Sequence, residues 1–87
     1  MAKLNRDLLN SVPVETAANA TVAVIDRLQD FSPELQMLAL TTSYKLMLER
    51  FNFPPQDILT VADNVMNHAD GRRVEFEAVQ SYMEGEL

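Results

Sequence analysis

The sequence contains no cysteine and only two glycines, Gly71 and Gly85, among its 87 residues. The lack of cysteine excludes disulfide bridges, thiolate zinc sites, iron–sulfur clusters and cysteine nucleophiles. The scarcity of glycine leaves few positions for the tight turns of a hairpin-rich β protein, and the two glycines are too far apart for a phosphate-binding loop. We therefore expect neither a disulfide scaffold nor a nucleotide-binding loop.

Long apolar runs and basic clusters are also missing. Polar or charged residues interrupt every hydrophobic stretch before it reaches the roughly 18 to 20 residues that a bilayer crossing needs. The basic start of the chain meets an acid and an Asn-Ser pair before a signal-peptide core develops, so we expect a cytoplasmic protein without membrane contact. No more than two bases stand together, which argues against direct nucleic-acid binding.

The net charge of −6 is concentrated in the second half of the chain. Residues 1–51 carry −1 and residues 52–87 carry −5. This asymmetry suggests one functional alternative, an inhibitor or adaptor that docks a negative face on a basic protein surface, for example that of a nucleic-acid-binding protein. The competing interpretation is that the charge only keeps the protein in solution. The carboxylates that would form the negative face are Asp57, Asp63, Asp70, Glu75 and Glu77.

The apolar fraction of 47% is enough for one folded domain over residues 1–87. The positions of the prolines and glycines in the sequence are typical of helix starts and ends. Pro13, Pro33 and Pro55 each stand at the head of a periodic run, and the two glycines stand near the ends of runs. We predict a small all-α bundle of four main helices at about residues 13–30, 33–51, 55–69 and 73–84, with room for a short N-terminal helix near residues 3–9.

Residues 74–77 at the start of the last predicted helix also alternate between apolar and charged side chains, as a strand does. Because no partner strand is visible in the sequence, we favour a helix there.

The second main helix, residues 33–51, is apolar on two sides, which is typical of a helix that is central in its bundle or partly buried against another chain. We therefore predict a noncatalytic protein-interaction module that binds a protein partner or forms a homodimer through this helix. The residues expected at the interface are Met37, Leu40, Tyr44, Met47 and Phe51.

Residues 66–77 resemble the calcium-binding loop of EF-hand proteins. With Gly71 at loop position 6, Asp70 falls at position 5 and Glu77 at position 12, as the motif requires. A methionine stands at position 1 and an arginine at position 8, and two carboxylates are too few for the six to eight oxygen ligands of calcium. A divalent-metal domain is thus a second alternative; the simpler interpretation is a helix that ends at Gly71.

No arrangement of catalytic residues can be identified. His68 is the single histidine, and the serines lack the glycine-bracketed elbow of a nucleophile. Near the last turn of the third main helix, His68 is most simply a cation favoured by the negative end of the helix dipole. We predict no enzyme, no cofactor, no metal ligand set and no small-molecule substrate.

Overall fold

The computed structural model describes residues 3–87, which form five helices and one two-stranded hairpin. The predicted all-α fold is therefore confirmed. The helices and strands follow one another in the order α1 (Arg6–Asn10), α2 (Val14–Leu28), α3 (Pro33–Phe51), α4 (Pro55–Met66), β1 (Asn67–His68), β2 (Gly71–Arg72) and α5 (Val74–Glu86).

The core lies where α2, α4 and α5 meet. The closest helix pair is α2 with α5, and it buries Ala18 and Ile25 of α2 against Phe76 and Val79 of α5. These are the apolar positions of two amphipathic patterns, so burial of one stripe from each helix stabilises the pair. Half-buried apolar side chains surround this cluster: Val14, Ala17, Val22, Val65, Met66 and Tyr82.

The segment between α4 and α5 differs from the prediction. The third main helix was expected to continue to residue 69, but α4 ends at Met66 and Asn67 adopts an extended conformation. Asn67 pairs with Arg72, and His68 pairs with Gly71 in a short antiparallel hairpin. The interpretation of Gly71 as a helix cap was wrong. Its φ of +131°, which side chains disfavour, belongs to the second strand of this hairpin.

The start of α5 agrees with the prediction of a helix rather than a strand at residues 74–77. The hairpin does not extend into this segment, because the Arg73 carbonyl accepts hydrogen bonds from the Phe76 and Glu77 amides at 3.0 and 2.9 Å and thereby begins the helix. The alternation of charged and apolar residues places Phe76 in the core while its two neighbours remain exposed.

The short helix α1 is held by local and long-range contacts. The Asn5 side chain accepts hydrogen bonds from the Asp7 and Leu8 amides and caps the helix. The Arg6 guanidinium bonds the Asp57 carboxylate on α4 at 3.0 Å and lies 4.4 Å from the centre of the Phe53 ring. A five-residue helix is too short to be stable alone, so this docking explains why it forms.

The fold is more expanded than its length requires. Its radius of gyration is 13.7 Å, whereas a compact domain of this length has a radius of about 12 Å. Between residues 3 and 87 no helix combines the length and the hydropathy that a membrane span requires. Helix α3 supplies no residue to the buried core cluster and contacts the other described helices more sparsely than α2 contacts α5, in keeping with the expanded shape.

Candidate functional site: the exposed surface of helix α3

Helix α3 has strong signals at both ends, which fix its length and position. Ser32 caps its first turn by accepting a hydrogen bond from the Leu35 amide at 3.4 Å, and a proline occupies the first helical position. The Gln36 side-chain amide donates to the carbonyls of Leu28 and Phe31, which ties the start of α3 to the end of α2. Asn52 ends the helix in the left-handed conformation, with φ of 50°.

None of the 19 residues of α3 is buried, although many are apolar. The helical spacing sorts the apolar side chains into two opposite faces. We call the first the leucine face, and it consists of Leu35, Leu38, Ala39, Thr42 and Leu46. We call the second the methionine face, and it consists of Met37, Leu40, Tyr44, Met47, Leu48 and Phe51.

The methionine face is partly covered by the chain itself at its C-terminal end. Tyr44 and Phe51 are half-buried, and the Tyr44 hydroxyl donates to the Pro55 carbonyl at 3.5 Å. Together with the buried Phe53 and with Ile58, they line an apolar cavity of about 110 Å³. This packing joins the end of α3 to the start of α4.

The predicted interface residues therefore fall into two groups. Met37 and Leu40 are exposed, with 68% of Met37 accessible, while Tyr44 and Phe51 contribute to packing within the chain. Met47 is exposed on one side and lines the same cavity as Tyr44 and Phe51 on the other. The sequence pattern identified the correct helix for an exposed apolar surface, but it could not show which end of the methionine face the chain covers.

The leucine face is exposed along its whole length. Leu38 and Leu46 are 63% and 61% accessible, and Ala39 and Thr42 between them are also exposed. Glu34 and Lys45 flank this face on one side, and neither forms an ion pair within the described residues. An uninterrupted apolar strip on a rigid helix can contact another polypeptide without any rearrangement of the chain.

The five predicted acidic residues are divided among α4, the hairpin turn and α5. Asp57 on α4 is engaged by Arg6, Asp63 lies further along α4, and Asp70 lies in the turn between β1 and β2. The two glutamates of α5 are two residues apart, which places them on opposite sides of that helix. The carboxylates are thus distributed around the α4–α5 half and are not collected on one face.

His68 lies in β1 and not in the last turn of a helix, so the expected interaction with a helix dipole is wrong. Its Nδ1 atom accepts a hydrogen bond from the Asp70 amide at 3.1 Å, and this contact closes the turn of the hairpin. Within residues 3–87 no three His, Asp or Glu side chains come together as a metal ion would require.

A hydrogen-bonded cluster at the ends of α2 and α5 was not predicted. The Tyr82 hydroxyl donates to the Asp26 carboxylate, and the Gln29 amide donates to Asp26 at 3.3 Å and to Glu86 at 3.1 Å. The hydrogen bond to Asp26 raises the pKa of Tyr82, because it favours the protonated hydroxyl. Tyr82 and Asp26 are 56 residues apart in the sequence, and Gln29 and Glu86 are 57 apart. No local sequence pattern could therefore have predicted this cluster.

A second apolar feature is an open cleft of about 510 Å³ between α2, α4 and α5. Apolar side chains of all three helices line it, among them Val65, Phe76 and Met83, and Arg72 stands at its edge. The amphipathic patterns predicted the helices that line this cleft, but they could not show that a cleft remains between them.

Comparisons with protein-family models, with curated proteins and with solved structures gave no match for this chain.

Proposed function

We propose that the protein is a noncatalytic interaction module that associates with itself through α3. The observation that carries this proposal is the exposure of both faces of a 19-residue helix, none of whose side chains is buried. Water in contact with so much apolar surface is unfavourable, and its release on association is the main driving force for complexes of this kind.

The size of the exposed surface agrees with such an interface. The chain exposes 6689 Å², about 1,500 Å² more than the roughly 5,200 Å² typical of a folded monomer of this mass. One partner in a standard interface buries about 800 Å². One interface of this size would thus cover about half of the excess surface. A contact made by one helix and the residues beside it can reach this size.

Self-association is favoured over the acidic-face alternative by the distribution of charge. A docking surface for a basic partner needs its carboxylates on one side, but Asp57 is paired with Arg6, and Glu75 and Glu77 lie on opposite sides of α5. The exposed apolar side chains of α3, by contrast, share one helix.

Sedimentation equilibrium of the full chain from low to high micromolar concentration tests the proposal. We expect a dimer with a dissociation constant in the micromolar range or below, since standard-size interfaces span micromolar to picomolar affinities. A double variant with Leu38→Glu and Met47→Glu places a charge on each face of α3, and it should be monomeric at every concentration.

The matched control is Leu59→Glu, which introduces the same charge on an exposed leucine of α4 instead of α3. It should associate like the native chain. A native chain that stays monomeric at high micromolar concentration, or a double variant that associates as the native chain does, would contradict the proposal.

A further inference from the structure

Building on the proposed self-association, we infer that two copies pack their leucine faces together with the two α3 helices antiparallel. The helices cross at Ala39 and Thr42, and Glu34 of each copy pairs with Lys45 of the other. The partner is thus a second copy in one defined orientation, and the methionine face lies outside the contact.

The choice of face follows from what the chain already covers. The C-terminal end of the methionine face packs on Phe53 and on α4, and a second copy there would have to compete with this packing. The leucine face has no such contacts, and its two largest exposed residues, Leu38 and Leu46, flank a small centre formed by Ala39 and Thr42. Small residues at the centre allow two helices to approach to the 8–10 Å of ordinary helix packing.

The antiparallel orientation follows from the positions of Leu35 and Leu46 at the two ends of the leucine face. Leu35 and Leu46 are eleven residues apart, which is about three helical turns, so they lie on the same side of α3 and about 16 Å from each other. In an antiparallel pair, a two-fold axis passes near the middle of this span. Leu35 of each copy then contacts Leu46 of the other, so the dimer contains two such contacts. Ala39 of one copy then meets Thr42 of the other in the same way.

The charges beside the leucine face support the same register. Glu34 and Lys45 are also eleven residues apart and lie on one flank of the face, and neither is paired within residues 3–87. In the antiparallel register the two like flanks of the copies face each other. Glu34 of one copy then lies about 3 Å along the helix axis from the level of Lys45 of the other, within reach of the long lysine side chain, so two ion pairs form. Complementary charges of this kind fix orientation more than they add affinity.

A parallel arrangement brings like charges together. Glu49 projects from the same side of α3 as the leucine face and would lie against Glu49 of the second copy. Lys45 would face the opposite flank, which carries Arg50. In the antiparallel arrangement Glu49 instead lies near the N-terminus of the partner helix, where the helix dipole favours a negative charge.

Single glutamate substitutions separate the two faces. Leu38→Glu should raise the dissociation constant of the dimer at least a hundredfold, because each copy would bury an unpaired carboxylate in the contact. Met37→Glu on the opposite face is the matched control, because Met37 is exposed and does not line the cavity at the end of α3, and its dissociation constant should stay within about threefold of the native value. Dimerisation that is lost in Met37→Glu and kept in Leu38→Glu would overturn the leucine-face contact while leaving self-association through α3 intact.

Charge exchange tests the pairing of Glu34 with Lys45. Glu34→Lys and Lys45→Glu should each weaken the dimer about five- to thirtyfold at low salt, since each turns two attractions into repulsions. The chain that carries both substitutions should recover to within about threefold of the native dissociation constant. A double variant weaker than either single variant would contradict the pairing.

Disulfide trapping tests the orientation directly, because the native chain has no cysteine. In an antiparallel dimer Leu35→Cys and Leu46→Cys chains should form mixed disulfides when combined and oxidised above the dissociation constant. Neither variant should link efficiently to itself, since its two thiols would be about 16 Å apart along the helix. Rapid self-linking of Leu35→Cys would show a parallel dimer, and a dimer that yields no mixed disulfide would show a different contact. A chain that does not dimerise would instead refute the proposed function.

Discussion

Replacement of Ile25 by valine is a sensitive test of where the core lies. Ile25 is 3% exposed and is the most buried side chain of the α2–α5 cluster. The substitution removes one methylene, which costs about 0.8 kcal/mol in transfer free energy, and the small cavity left behind adds to this. We therefore expect the free energy of unfolding to fall by about 1 to 1.5 kcal/mol.

Thermal and urea unfolding followed by circular dichroism measure this change. For a domain of this size the loss corresponds to a fall in Tm of about 4–12 °C, with no change in the urea m-value. The control is Val24→Ala, about 100° around α2 from Ile25, where the side chain is 46% exposed, and it should change the free energy by no more than about 0.5 kcal/mol. If both variants are equally stable, the α2–α5 contact is not the centre of the core.

Three other features of the fold give predictions of their own. Asn52→Ala should cost about 1 kcal/mol in urea unfolding, because alanine disfavours the left-handed conformation at the end of α3, whereas Asn52→Gly should not be destabilising. Arg6→Met should destabilise the fold by about 0.5–1.5 kcal/mol through loss of the contacts to Asp57 and Phe53, and high salt should reduce the difference from the native chain. The raised pKa of Tyr82 means that its hydrogen bond stabilises the fold below pH about 10, the pKa of an unfolded tyrosine, and that this contribution is lost as pH rises through the higher folded value. Urea unfolding of Tyr82→Phe beside the native chain should show a stability difference that shrinks above pH about 10, and a difference that stays constant with pH would contradict it.

The helical parts of the fold could be predicted because their signals are local. Ser32, Pro33 and Glu34 begin α3 within three residues, and the predicted span of residues 33–51 is the span observed. The end of α4 could not be placed, because Asn67 and His68 are compatible with both a helix and a strand. Only their pairing with Gly71 and Arg72 decides between the two, and pairing is a property of the folded chain.

The candidate site was predictable to the level of the helix but not of the face. Because α3 has two opposite apolar faces, a single chain can bury both only if α3 is central in the bundle. Which face the chain covers depends on the path of the loop that follows α3. The turn at Asn52 brings Phe53 and Ile58 back against Tyr44, and no periodicity in the sequence encodes this direction.

The same turn explains why α3 stands apart from the core. Four residues separate α2 from α3 and three separate α3 from α4. In the second connection Asn52 is left-handed and Pro54 is extended, and Pro54 and the Pro55 that begins α4 each disfavour a helical conformation of the residue before them. These short connections and the caps at Ser32 and Asn52 restrict the directions in which α3 can leave and re-enter the core. Each cap contributes about 1 kcal/mol to stability, and leucines that stay exposed to water contribute no hydrophobic stabilisation. In the proposed dimer a second copy would bury the leucine face while both caps of α3 stay intact.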